Sequence, residues 1–256
     1  MTRVVAPAKL TLSLAVAGVR PDGYHELRAE MVALSLADEL TFTEGGSGLT
    51  VVADPGTRAG SLAGEEGNLI GRALAAVGRT AAVHVVKRIP LGGGLGGGSS
   101  DAAAVLRWAG CDDPAIAVGL GADVPFSLAG GRALVEGIGE RLTPLEFEAR
   151  DFLLLVPPFG VDTPLVYAAW DAQPSAEGPN QLTAAALRVE PRLAAWRDAL
   201  AELTGCRPTL AGSGSTWFVE GGPAAAAAGE KPWLERGGER ARLVRAHTVP
   251  AGWEGG

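Results

Sequence analysis

Cysteine is scarce in this chain of 256 residues, limited to Cys111 and Cys206. Two thiols so far apart read as reduced side chains and not as a disulfide framework. Histidine is nearly as sparse: His25, His84 and His247 form no local ligand motif, and no Cys/His spacing suggests a zinc site. Excess positive charge is also missing. With 29 acidic residues against 22 basic ones, the net charge is −7, which argues against DNA or RNA as a partner. A small phosphorylated ligand is still compatible, because one pocket can be locally positive on an acidic protein. Arg3 and Lys9 have no apolar core behind them, so no secretory signal is expected. The longest strongly apolar stretch, Phe152 to Val156, is stopped by Pro157 and Pro158, far short of the roughly 20 residues of a membrane span. A cytoplasmic enzyme with no membrane partner is the expected class. No exposed apolar stripe fixes an oligomeric state.

What the chain does have is an order of elements. Residues 3 to 16 alternate and read as a strand, and Arg20-Pro21-Asp22-Gly23 is a turn before a second strand region, Met31 to Phe42. Leu49 to Val52 reads as a short strand. Asn68 caps a helix running to about Val77, with Leu69, Ile70, Ala73, Leu74 and Val77 on one face. Ala81 to Ile89 is a β-branched strand, Ser99 to Ala109 a helix capped by its serines, Ile116 to Leu120 a short helix, and Gly121 to Pro125 a break. Gly131 to Gly139 reads as strand and turn. A domain boundary is expected near residue 150, dividing the chain into 1–150 and 151–256. Beyond it come a buried strand at Phe152 to Val156 and a helix at Thr163 to Trp170, capped by Thr163. Helices at about 180–188 and 191–203 follow, then strands at 207–211 and 216–220 around a Gly212-Ser213-Gly214-Ser215 turn. An alanine-rich helix at 224–228 and a closing strand from Arg242 to Val249 complete the pattern.

The strongest motif is the loop Pro90-Leu91-Gly92-Gly93-Gly94-Leu95-Gly96-Gly97-Gly98-Ser99-Ser100, which leads into Asp101-Ala102-Ala103. So many glycines carry a large entropic cost on folding, tolerated where backbone must approach a ligand closely or take positive φ. The helix that follows offers unpaired N–H groups and the positive end of its dipole. Together they form an anion nest suited to the phosphates of ATP. Ser99 and Ser100 add hydroxyls that can touch phosphate oxygens or a magnesium ion, although Mg2+ could equally ride on phosphate and water. Gly92, Gly94 and Gly97 also satisfy G-x-G-x-x-G, which leaves a nicotinamide-dependent oxidoreductase as the competing reading. The Walker A pattern is absent, since no lysine follows the glycines.

Without that lysine, a kinase must position its acceptor hydroxyl and offset the moving charge by other means. Lys9 sits in an otherwise apolar strand, and Asp123 sits in Gly-Ala-Asp-Val-Pro between a short helix and an apolar run. Each is either a solvated edge or half of a held pair. As a pair, Asp123 accepts the substrate's hydroxyl proton, while Lys9 keeps the carboxylate ionised and offsets phosphate charge. Tyr24 and His25, after the turn, are either an exposed turn or a flat hydrogen-bonding surface for a nucleobase.

In order and spacing, Pro7-Ala8-Lys9-Leu10, the 90–103 loop and Gly212-Ser213-Gly214 resemble the three motifs of the GHMP kinases. Asp22-Gly23-Tyr24-His25-Glu26-Leu27 and Gly121-Ala122-Asp123-Val124-Pro125-Phe126 narrow the likeness to the branch that phosphorylates 4-diphosphocytidyl-2-C-methyl-D-erythritol. The resemblance covers residues 3 to about 218. It implies a two-domain α/β (α+β) fold with the active site in the cleft between domains. It also implies transfer of the ATP γ-phosphoryl to the substrate's 2-hydroxyl, in the non-mevalonate route to isoprenoids. Lys9 and Asp123 would be the catalytic pair, Tyr24 and His25 would pack on the cytosine, and the glycine loop would bind ATP. Another GHMP kinase, of homoserine or mevalonate type, is the nearest alternative. The chain departs from the branch at three places: Thr11, near the substrate, where asparagine is usual; Gln181, where aspartate is frequent; and Trp217, where a smaller residue is usual. The Thr11 hydroxyl could still hydrogen-bond the substrate.

Overall fold

The computed structural model describes every residue except 55–56, 58–67, 223–225, 227–228, 230 and 256. Its frame is a long antiparallel pair, β1 (Thr2–Val19) with β2 (His25–Glu44). Alternation buries Ala6, Ala8 and Leu10 of β1 completely. The register slips between Pro7 and Lys9, between Thr11 and Ser13, and between Val16 and Gly18. The first slip follows a proline, which has no N–H to give to the ladder. It also frees the Lys9 N–H, which donates instead to the carbonyl of Leu95 in the glycine loop at 3.0 Å.

The first sheet is completed by β3 (Leu49–Ala53), β4 (Ala81–Lys87), β5 (Arg132–Gly137) and β6 (Arg141–Pro144), in the order β3-β4-β2-β5-β6 with β1 on β2. Three helices pack on it: α1 (Leu69–Ala76), α2 (Gly97–Ala109) and α3 (Pro114–Leu120). Asn68 caps α1 as expected, its side chain accepting from the Ile70 N–H. A fourth helix, α4 (Val124–Ala129), begins inside the break expected at Gly121 to Pro125. Proline in a first turn removes only an N–H that has no intrahelical partner, so it does not stop the helix.

The second sheet runs β10 (Trp233–Arg236), β11 (Glu239–His247), β7 (Asp151–Val156), β9 (Trp217–Glu220) and β8 (Thr209–Leu210), all antiparallel. It carries α5 (Thr163–Ala172), α6 (Thr183–Val189) and α7 (Arg192–Thr204). The α5 cap is Asp162, which accepts from the Leu165 N–H, and not Thr163, which is already helical. The alanine-rich helix expected at 224–228 falls almost entirely outside the described residues. A large apolar cluster joins the sheets, packing Leu14, Met31 and Phe126 with Leu153, Leu155 and Trp217. The closing segment returns to the first sheet, where Val249 donates to the Ala33 carbonyl at 3.0 Å. Among the described residues, no helix is long and apolar enough to cross a membrane.

Candidate active site

The glycine loop joins β4 to α2, and its backbone is packed too tightly for side chains. Gly94 has φ +79°, and a Cβ there would lie 2.5 Å from the Ala211 carbonyl oxygen. Gly96, the α2 N-cap, has φ +70°, and its Cβ would lie 2.7 Å from Lys9 Cγ. Gly94, whose Cβ would also lie 2.9 Å from Gly214 Cα, shows why the loop and the Gly212–Gly214 turn are both glycine-rich: the two backbones lie against each other, and Thr216 N–H donates to the Gly93 carbonyl at 3.2 Å. Pro90 and Leu95 are buried and anchor the loop, with Leu95 in the core beside Ile89 and Phe152. Leu91, Gly92 and Gly93 shape the backbone between those two anchors, and Gly97 and Gly98 form the start of the first turn of α2. Among the described residues, the N–H groups of Gly94 to Ser99 have no acceptor.

α2 starts at Gly97 and not at a serine cap. Ser99, in the first turn, lines a cavity of about 670 Å³ together with Gly94, Gly96, Lys9, Thr11 and Asp123. Ser100 differs from its expected role as a phosphate contact. It is fully buried, its hydroxyl donates to the Pro7 carbonyl at 2.5 Å, and its N–H donates to Gly96 at 2.9 Å. It ties the helix to β1 and has no donor left for a ligand.

Lys9 and Asp123 meet in that cavity, Nζ to Oδ2 3.5 Å apart, with the lysine buried and the carboxylate about a third exposed at 35%. Lys9 also donates to Thr11 Oγ1 at 3.2 Å. Arg107 on α2 donates to the Val5 carbonyl on β1 at 2.9 Å and to the Ser127 carbonyl on α4 at 2.7 Å. One helix therefore braces both the strand carrying Lys9 and the helix that Asp123 precedes. Burial pushes the Arg107 guanidinium down to about 10.

Tyr24 and His25 also line the cavity, Tyr24 being 60% exposed. Sequence reasoning missed what faces them. Thr163, Tyr167 and Asp171 recur at every fourth residue of α5, so one helix face meets the cavity. Tyr167 lies 4.6 Å from the His25 ring, and Asp171 Oδ1 is 2.7 Å from His25 Nε2. Burial, with the Asp123 charge adding to it, raises the Tyr167 phenol above its ordinary range. The Thr163 hydroxyl lies 2.9 Å from that of Ser213 in the glycine turn.

Gln181 and Trp217 are not among the residues that line this cavity. The Gln181 side chain accepts from the Val16 N–H at 2.9 Å, and the Trp217 indole donates to the Leu193 carbonyl at 3.1 Å, so both support structure. Thr11 is the one departure from the resembled pattern that the cavity contains.

A second cation–carboxylate group lies beneath the loop. The Lys87 ammonium bonds Asp38 and, at 2.6 Å, Asp101, and all three side chains are buried. Asp38 also accepts from the N–H groups of Arg88 at 2.5 Å and Ile89 at 2.8 Å, where β4 leaves for the loop. The second oxygen of Asp101 has no hydrogen-bond partner. Burial pushes the Asp101 carboxyl up to about 7, opposed by the Lys87 charge.

Residues 68–111, spanning α1 to the end of α2, match the GHMP kinase N-terminal domain. A 4-diphosphocytidyl-2-C-methyl-D-erythritol kinase of Nitrosomonas eutropha is 36% identical over 251 residues, covering 86% of this chain and 88% of that protein. The chain belongs to the 4-diphosphocytidyl-2-C-methyl-D-erythritol kinase family. The Deinococcus radiodurans member is 46% identical over 157 residues, which are 55% of this chain and 51% of that protein. A crystal structure of a 4-(cytidine 5'-diphospho)-2C-methyl-D-erythritol kinase superposes over 97% of this chain and all of that one, with a TM-score of 0.73 at 36% identity. The expected mixed α/β architecture and the assignment to the GHMP kinases therefore hold, and the oxidoreductase reading falls.

Proposed function

We propose that this kinase transfers the γ-phosphoryl group of ATP to the 2-hydroxyl of 4-diphosphocytidyl-2-C-methyl-D-erythritol, as a cytoplasmic step of non-mevalonate isoprenoid synthesis. The observation that carries the chemistry is the Lys9–Asp123 pair, held in one cavity with the free N–H groups that open α2. In this reading the N–H groups of Gly94 to Ser99 hold the ATP phosphates. Asp123 takes the proton of the acceptor hydroxyl, whose oxygen forms a bond to the γ-phosphorus as the bond to the ADP oxygen breaks. Lys9 offsets the charge on the equatorial oxygens. Tyr24, Tyr167 and His25 form the flat wall that takes the cytosine, and the Thr11 hydroxyl, which accepts from Lys9, is a further hydrogen-bonding group for the substrate.

Magnesium fits this site as a companion of the nucleotide. Among the described residues, no group of three or more His, Cys, Asp or Glu could hold a metal ion. Hard oxygen donors among the residues lining the cavity include the Ser99 hydroxyl and the Asp123 carboxylate, which suits an ion carried mainly by phosphate and water. Bound there, it would neutralise phosphate charge. The catalytic cleft then lies between a first domain, residues 1–150, and a second, 151–256.

A coupled ADP-release assay over a panel of alcohols tests the reading. Turnover with the cytidyl-methylerythritol substrate, and a new phosphomonoester on its 2-oxygen by phosphorus NMR, is the expected result. Release of ADP only with homoserine or mevalonate would replace that substrate by another.

A further inference from the structure

His25 is held in a way that leaves only one of its ring nitrogens for a ligand. Its Nε2 lies 2.7 Å from Asp171 Oδ1, and its ring stacks at a tilt on Tyr167, with centroids 4.6 Å apart. Trp170 closes the ring from a third direction, edge-on at 6.0 Å. A carboxylate accepts hydrogen bonds and donates none, so the hydrogen of this bond must sit on Nε2. In the neutral ring Nδ1 is then an acceptor, and among the described residues it has no partner.

We propose that Asp171 is a positioning residue that fixes the His25 tautomer, so that Nδ1 accepts from an exocyclic amino group and the site selects cytosine over uracil. The inference rests on the reading of this wall as the nucleobase site. Uracil presents a carbonyl where cytosine presents its amino group, so a locked acceptor would face a second acceptor and leave both without a hydrogen. If the ring were free to exchange its hydrogen, it could satisfy either base. Specificity would then come from a residue of α5 that need not touch the base itself, acting across 146 positions of sequence on a histidine at the start of β2.

Nitrogen-15 NMR of the three histidine side chains tests the tautomer without substrate, at pH 8, with His25 assigned by its loss in His25→Gln. The wild type should show a protonated Nε2 and an unprotonated Nδ1 for His25. Asp171→Ala should move both shifts toward exchange-averaged values, and Asp171→Asn, whose amide oxygen can still accept, should lie between. Competition binding of CDP and UDP is read in parallel. The wild type should favour CDP by about tenfold, a difference of the size one unmatched hydrogen bond gives, and Asp171→Ala should lose most of that preference. With the full substrate, KM should rise in Asp171→Ala while the KM for ATP stays near the wild-type value. A His25 that carries its hydrogen on Nδ1 in the wild type, or an unchanged CDP preference in Asp171→Ala, would overturn the proposal. An absence of turnover with intact tautomer and CDP preference would count against the assigned reaction alone.

Discussion

The glycine loop separates two lysine–carboxylate groups built from the same residue types but differing in access and spacing. Above it, Lys9 and Asp123 stand 3.5 Å apart at a cavity wall, with the carboxylate partly open. Below it, Lys87 is sealed between Asp38 and Asp101, out of reach of any substrate. A long, partly solvated pair can exchange its partner for a reacting group at modest cost. A sealed group cannot, because removing one member leaves a bare charge in a medium of low polarity. Charge type says little about role here, whereas access and spacing say much.

The sharpest way to break this contrast is Lys87→Met. With two buried carboxylates facing each other without a cation, the variant should lose about 3–5 kcal/mol of stability, measured by urea unfolding. Lys9→Met should do the reverse. Turnover should fall about 1000-fold, a loss of the size that follows removal of one charge-stabilising group, while the unfolding midpoint stays near that of the wild type.

Gly96→Ala tests whether the loop itself places the upper pair. The added Cβ would meet Lys9 Cγ at 2.7 Å in a backbone with φ +70°, so turnover should fall on the order of 100-fold if the lysine shifts by about 1 Å. Asp101→Asn leaves Lys87 still paired with Asp38, so its effect is the smallest and concerns pH. The Asp101 carboxyl is raised from 3.8 to about 7, so the folded chain holds this proton more tightly than the unfolded one. Its stabilising contribution is complete below about pH 4 and is lost as pH rises through about 7. The variant should flatten the fall in unfolding free energy between about pH 4 and pH 7, which the wild type should show.

The upper group was legible in the sequence because its parts sit in unusual local company. Lys9 interrupts an apolar strand after a proline, Asp123 lies in a turn between apolar segments, and the glycines announce a backbone that must come close to something. The lower group was not legible. Asp38, Lys87 and Asp101 each read as an ordinary charge on a strand or helix, and only the antiparallel pairing that sets Glu39 opposite Val86 brings Asp38 to Lys87. The α5 face was hidden for the same reason, since Tyr167 and Asp171 gain meaning only when the helix is laid against His25. Short edge strands such as β6 and β10 gave too few residues for a period to show. The loop serine pair was half legible: the sequence marked both hydroxyls, but the helix begins at Gly97 and turns Ser100 inward to Pro7.

The central claim is that the partly exposed carboxylate of Asp123 does the chemistry and has little part in the folding. It is tested most directly by the turnover of Asp123→Asn at saturating ATP and substrate, with its thermal unfolding measured on the same preparation. The account predicts a loss of about 100-fold to 10,000-fold, the range of general-base contributions, with an unfolding temperature close to that of the wild type. Wild-type turnover in the folded variant would contradict it.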